Sequence, residues 1–349
     1  LFPMNQRRQF NVAKYNPKTR FTVGYSYTDR PEYRRTFTSF AGTYLFQNRR
    51  TTQYSFTFAN ISVIDTLNIS PAFKDFLEEQ AVSGNFSLIN SFYPSFVTSM
   101  SFGVTWNPDN YGNKERNSVY IRGLFESGGT LWNFFEPKWI LEDSLQIFQF
   151  LRFSFDFRKS IVLNRNTWLA YRINSGVVIP YGSYGGIPYE KFFFAGGSNS
   201  VRAWRPRRLG PGSFKPNINP EEEQAADGTF DYSIEKPAPI LIEGSVEIRK
   251  KIVGFLDGAV FVDVGNVWTI EPWEKRVDDV VVENGNSQFK LNEFYKEFGV
   301  GTGFGFRFDF AFLILRFDVG MKVYDPARDP GDRFVLNRVR FFKPYSNGR

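Results

Sequence analysis

The chain has 349 residues with no cysteine and no histidine, and its 43 Lys and Arg against 36 Asp and Glu leave a formal charge of +7. Without imidazole or thiol, Ser-His-Asp chemistry, imidazole or thiolate metal sites and disulfides are excluded, and an enzyme would be left with carboxylates, Lys, Tyr and Ser. Aromatic residues make up 19% of the chain and apolar residues 42%, yet mean hydropathy is -0.34, so apolar side chains are interleaved with polar ones. The apolar run through Ala311 to Leu315 is broken by Arg316, far short of the roughly 18 to 20 residues of a spanning helix. No basic segment followed by an apolar one opens the chain at Leu1, so it reads as mature or truncated and without a signal peptide. The basic balance fits an anionic partner, such as nucleic acid or a lipid phosphate surface, or an ordinary solvated surface; the solvated surface is the expectation, with no nucleic acid bound.

In chain order, alternation with a period of two recurs almost throughout, the signature of strands with one apolar face. Phe21, Val23, Tyr25 and Tyr27 alternate with Thr22, Gly24, Ser26 and Thr28. Phe40, Tyr44 and Phe46, a turn at Gln47 to Arg50, then Tyr54, Phe56 and Phe58 predict a hairpin. Ser70 as cap and Pro71 at the first position predict a short helix carrying Phe73, Phe76 and Leu77. Further strands are expected at Phe96 to Trp106, Ser118 to Phe125, Leu151 to Phe157 and Thr167 to Ile179. Later, Ile240, Ile242, Val246 and Ile248 oppose Glu243, Ser245 and Glu247, and Val260, Val262 and Val264 oppose Phe261, Asp263 and Gly265. Phe304, Phe306 and Phe308 share a face opposite Gly299, Gly301, Gly303 and Gly305. The last strand sets Leu313, Leu315, Phe317, Val319 and Met321 against Arg316, Asp318, Gly320 and Lys322.

These patterns make about eleven strands of roughly 9 to 14 residues, long enough to cross a bilayer at a tilt. Connection lengths alternate as well. Gln47 to Arg50, Asn107 to Arg116, Lys159 to Asn166, Lys250 to Gly254 and Asp309 to Phe312 are short or moderate turns. Thr66 to Tyr93, Gly128 to Asp143, Tyr181 to Pro239 and Thr269 to Lys296 are longer, with Asp29 to Tyr33 the exception. Tight turns on one side and long loops on the other predict an all-β fold, a transmembrane antiparallel up-and-down β-barrel, rather than a water-soluble sandwich. Glu221, Glu222, Glu223 and Asp227 in the longest loop could hold a cation, though a solvated loop tip is the ordinary reading.

That longest loop carries an ordered motif. Phe192, Phe193 and Phe194 lead into Gly196-Gly197, then Ser200, Val201, Arg202, Ala203 and Trp204, and then Leu209-Gly210-Pro211. With Phe261-Val262-Asp263-Val264-Gly265-Asn266-Val267-Trp268 and the glycine-rich strand from Gly299 to Asp309, the chain resembles the BamA/TamA outer-membrane assembly superfamily. The resemblance covers roughly Tyr181 to Pro326 closely and the first half by pattern. Arg202-Ala203-Trp204 and the Pro211-Gly212 ending lean toward the TamA-like, lipoprotein-type branch. Ala203 stands where the superfamily usually has Gly, which puts any positive φ there in question.

The resemblance implies a barrel of sixteen strands, of which residues 1–349 would be a partial domain, strands five to fifteen by count, with the periplasmic domains outside this sequence. It implies that the loop 181–239 folds into the lumen of an outer-membrane barrel in a Gram-negative-type bacterium. Arg202, within the clasp Gly196, Gly197, Val201, Arg202 and Trp204, would pair with Asp263, with Glu247 or Asp309 as second acceptor. Gly299, Gly301, Gly303 and Gly305 would let the loop backbone approach the wall. The implied function is insertion or translocation of unfolded outer-membrane proteins without covalent catalysis or cofactor. Lipids, and periplasmic or inner-membrane assembly partners, would be its other contacts. A passive porin or gated transport barrel is the alternative.

Overall fold

The computed structural model describes residues 15–30, 33–82, 92, 94–112, 116–130, 146–182, 186–215, 235–271, 275–277, 280–282, 286–310 and 313–338. Eleven strands follow one another around a single antiparallel sheet. They are β1 (Tyr15–Asp29), β2 (Tyr33–Arg49), β3 (Thr52–Ile69), β4 (Ser95–Trp106), β5 (Ser118–Gly128), β6 (Phe150–Asn164), β7 (Thr167–Pro180), β8 (Ile240–Val253), β9 (Leu256–Trp268), β10 (Gly299–Phe310) and β11 (Leu313–Tyr324). Each pairs with the next in sequence, and β1 and β11 form the two edges. A two-residue stretch, Gln146–Ile147, adds a parallel pairing to β4, and Lys275–Val277 with Val280–Val282 makes a separate ribbon.

The sheet is inverted relative to a soluble sandwich. On β9, Val260 and Val262 are 62% and 45% exposed whereas Phe261 and Asp263 are 1% and 0% exposed. Phe304 and Phe306 face outward on β10 while their neighbours Gly303 and Gly305 are buried. Apolar side chains outside and carboxylates inside suit a hydrocarbon exterior. No second sheet covers the apolar face among the described residues, and the sheet is the all-β up-and-down barrel wall that the alternation predicts.

Strands extend beyond their expected bounds. The ladder continues through Lys159 and Lys250, whose partners Tyr171 and Thr167 keep bonding, so β6 runs to Asn164 and β8 to Val253. The β8–β9 turn closes on Gly254, whose φ of +53° suits a residue without Cβ. On the opposite side lie the long connections. One begins with α1 (Pro71–Val82), capped by Ser70, whose Oγ accepts from the Phe73 N–H at 3.3 Å. The acidic run from Glu221 to Asp227 lies outside the described residues.

The apolar core sits inside the curved sheet. Phe193, Val201, Trp204 and Leu209 of the β7–β8 loop pack with Phe150, Val178, Leu241 and Val267 of the wall. The loop thus supplies the interior that a lone sheet lacks.

Candidate functional site: the luminal clasp

The loop between β7 and β8 turns back on itself at its tip. Gly196 and Gly197 have φ of +98° and +101°, a region costly to residues with Cβ. The Gly197 N–H donates to the Trp204 carbonyl at 3.0 Å, and the Gly196 N–H donates to Ser200 Oγ at 3.0 Å, closing a compact turn around Arg202. A second crossing, Leu209 N–H to the Ala195 carbonyl at 3.2 Å, holds the two arms together.

Arg202 meets Asp263 in a fork. Nε donates to Oδ2 and Nη2 to Oδ1, both at 2.8 Å, and the Arg202 backbone N–H reaches Oδ2 at 3.0 Å. Nη1 donates to Glu247 Oε2 at 2.7 Å and to Asp318 Oδ2 at 3.3 Å. The guanidinium carbon lies 3.3 Å from the Phe261 ring centroid, a cation–π contact over a buried face. Arg307 of β10 meets the same wall carboxylates, with Nη2 to Glu247 Oε1 at 3.0 Å and Nη1 to Asp318 Oδ1 at 2.5 Å. Burial lowers the Arg202 pKa, but hydrogen bonds and charge from Asp263 and Glu247 more than offset it, so the group is held above its ordinary value.

The glycines act as sockets. A Cβ at Gly301 would lie 2.7 Å from Ala203 Cβ, and one at Gly299 2.9 Å from Leu209 Cδ1. Gly303 instead admits the Phe261 ring and Gly305 the Asp318 carboxylate, so these two shape the partners of Arg202 rather than meet the loop. Two sockets outside the predicted set complete the seat: Gly265 against Val201 and Gly320 against the Arg202 carbonyl. Ala203 needs no left-handed backbone, because Asn16, Asn110 and Arg207 are the described non-glycine residues with positive φ. Its methyl group faces Gly301, so a glycine on the wall accommodates the extra atom on the loop.

Asp309 is not among the acceptors of Arg202. It lies eight residues beyond Gly301 on β10, about 27 Å along the strand, and its backbone N–H bonds to Phe255 at the turn. Asp309 shares the parity of the inward residues, but parity does not set depth. Asp318 takes that place, and its inward face with Arg316 and Gly320 is the signal available in the sequence.

Other contacts escape the sequence reading. Arg172 Nη1 donates to the Asn199 carbonyl at 2.6 Å and Arg316 Nη2 to the Ser198 carbonyl at 2.7 Å, so two walls grip the tip through its backbone. Backbone acceptors carry no side-chain signature. Glu243 receives Ser200 Oγ and Arg172 Nη2. At the root of the loop, Glu235 accepts from Arg30, Tyr189 and Arg207. Burial raises the Glu235 pKa, yet the Tyr189 hydroxyl and the Arg30 and Arg207 charges outweigh it and hold the carboxyl below the usual carboxylate range. Near the long-loop mouth, Glu297 accepts from Trp268 Nε1 at 2.7 Å, Asn286 Nδ2 at 2.9 Å and Ser213 Oγ at 3.2 Å. There burial prevails over those bonds and pushes the carboxyl up.

The wall carboxylates around the tip are taken up by guanidinium groups, and no cluster of three or more potential ligands is placed to hold a metal ion among the described residues. A cavity of about 230 Å³ lies under the tip, bordered by Ser198, Asn199, Arg158, Arg172 and Arg249. The arrangement can store electrostatic energy and hold a segment in place.

A sequence profile described as the Omp85 superfamily domain matches residues 98–339. Among solved structures, the fold is similar to that of BamA from Haemophilus ducreyi lacking POTRA domains 1-3. The TM-score is 0.59 and identity 15%, over 90% of this chain and 57% of that one. CdiB from Escherichia coli is similar at a TM-score of 0.43 and 11% identity, over 88% of this chain and 46% of that one. Among curated protein sequences none matches this chain.

Proposed function

Because this chain belongs to the Omp85 superfamily, we propose that it inserts polypeptides into, or moves them across, the outer membrane of a Gram-negative-type bacterium. The clients are unfolded outer-membrane proteins, and the surrounding lipids and periplasmic or inner-membrane assembly factors are its other partners. It acts without making or breaking covalent bonds. Arg202 fastens the β7–β8 loop inside the lumen, and the loop's position decides whether the barrel is closed and rigid or free to deform. The TamA-like branch is the favoured placement, on the Arg202-Ala203-Trp204 core.

One observation carries this reading: the tip of a long loop is anchored to buried carboxylates on three wall strands, Glu247 of β8, Asp263 of β9 and Asp318 of β11. A barrel whose task is passive diffusion gains nothing from filling its lumen with a charge-locked apolar plug. The test is the Arg202→Ala chain reconstituted in vesicles. The expected result is faster proteolysis within residues 186–215 and slower client insertion. Open conductance in the unaltered chain, with client insertion indifferent to the substitution, would favour the transport barrel.

A further inference from the structure

The edge of the sheet formed by the short turns differs in charge from the edge formed by the long loops. Pairing register puts the β2–β3, β4–β5, β6–β7 and β8–β9 turns on one rim. That rim carries Arg49 and Arg50, Arg116, Arg165, and Lys250 and Lys251, all exposed. None of these six cations makes an ion pair among the described residues; Arg50 lies over the Tyr15 ring at 5.8 Å. Among the described acids there, Asp257 is buried and Asp109 and Asp309 are half-buried. On the opposite rim several cations are partnered, as in Arg34 with Asp29 at 3.0 Å, Lys215 with Asp329 at 2.6 Å and Lys74 with Glu78 at 3.6 Å.

Directly beside the unpaired cations, the outward apolar surface reaches the turns. Leu163, Ile252, Val253 and Phe255 are 54%, 55%, 68% and 53% exposed. Long basic side chains above an apolar band are placed to lie along it and present their charge at headgroup depth. The cations are also spread over six strand spacings, about 29 Å of perimeter. A rim shared among separated turns suits many small anions arranged around the barrel better than one docked protein.

We propose that the short-turn rim is an anionic-phospholipid site, in which these cations bind lipid phosphates of the leaflet on that side and fix the depth of the barrel. This rests on the membrane-spanning reading of the sheet but not on the clasp. Neutralising unpaired cations at a lipid surface weakens attraction by about fivefold per group at low salt, and screening over roughly 8 Å at physiological ionic strength reduces it.

The test uses the full chain in vesicles of phosphatidylcholine with or without phosphatidylglycerol. Trp fluorescence quenching by brominated forms of each lipid gives their relative affinity for the barrel surface. The unaltered chain is expected to prefer phosphatidylglycerol. Lys250→Gln with Lys251→Gln should cut the preference by an order of magnitude or more, adding Arg49→Gln and Arg50→Gln should cut it further to what Arg116 and Arg165 sustain, and salt should weaken it. Equal affinity for both lipids in a chain that still shows heat-modifiable gel mobility overturns the proposal and leaves the membrane reading standing. Failure of the unaltered chain to enter vesicles overturns both. Variants that keep lipid selectivity but lose client insertion would assign the rim to an acidic protein partner and also overturn the lipid site.

Discussion

The β7–β8 loop is held at two places that differ in kind. At the tip, the side chains of Arg202 and its chief partner Asp263 are 6% and 1% exposed. At the root, Glu235 is nearly covered, but Arg30 and Arg207, which reach it, are 35% and 44% exposed. Water and salt screen the root, whereas the tip lies where charge is costly to strand. A contact's importance follows from what is left behind when it breaks. Losing Arg30 returns its partner to a site still served by Tyr189 and Arg207. Losing the Arg202 side chain leaves Asp263 buried with its two guanidinium bonds gone and the backbone N–H of residue 202 as its remaining donor from the loop.

Removing the charge at the tip should have the greatest consequence for the loop. Arg202→Ala is expected to destabilise the loop-docked state by about 3 to 5 kcal/mol, the scale for orphaning a buried ionic partner. Arg307 softens this for Glu247 and Asp318, which it also contacts, but not for Asp263. Amide hydrogen exchange across residues 195–209 should therefore rise far more in Arg202→Ala than in Arg30→Ala. Arg202→Lys should fall between them, because an ammonium group cannot reproduce the fork on Asp263.

A steric change tests the tip without altering charge. Gly301→Val adds atoms where Ala203 already sits 2.7 Å from a Cβ position, and overpacking of this sort costs about 1 to 3 kcal/mol. Combining it with Ala203→Gly should recover part of the loss, measured as the protease resistance of the loop. An equal effect of Gly301→Val with and without the accompanying Ala203→Gly change would show that the wall, not the loop, absorbs the strain.

The two anchors also differ in how far the sequence foretells them. The tip is anticipated through the family resemblance, carried by the Gly196-Gly197 pair and the Arg202 core, with the alternation of Asp263 and outward valines adding only that this carboxylate faces inward. Period-two alternation likewise exposes the strands, their inward faces and the side on which long loops lie. Depth is not legible, since every second residue of β10 shares a face from Gly299 to Asp309, and pattern alone does not separate Asp309 from Asp318. The root is illegible for a different reason. Arg30 and Glu235 are 205 residues apart and meet only in the folded chain, a juxtaposition that no local pattern encodes.

The smallest expected effects come from pH, and they separate the root from the knot at the long-loop mouth by sign. The folded Glu235 carboxyl titrates below its unfolded value, so the stability it contributes is present above about pH 4 and is lost as pH falls through the folded value. Glu297 is the reverse. It titrates above its unfolded value, so its folded form binds a proton more tightly, and stability is greatest below about pH 4 and declines as pH rises through the folded value. The physical cause is the partner set: Glu235 faces Arg30 and Arg207, whereas the hydrogen-bond donors on Glu297 are the neutral Trp268, Asn286 and Ser213. Mild acidification from neutral pH should slow exchange at the Ser213 and Asn286 amides while the root is unchanged, and stronger acidification should loosen the root. Glu297→Gln should flatten the first response and Glu235→Gln the second, the latter costing only about 1 kcal/mol at neutral pH because its cations are partly solvated. A Glu297→Gln chain that kept the acid-induced protection would move the titrating group elsewhere in the mouth.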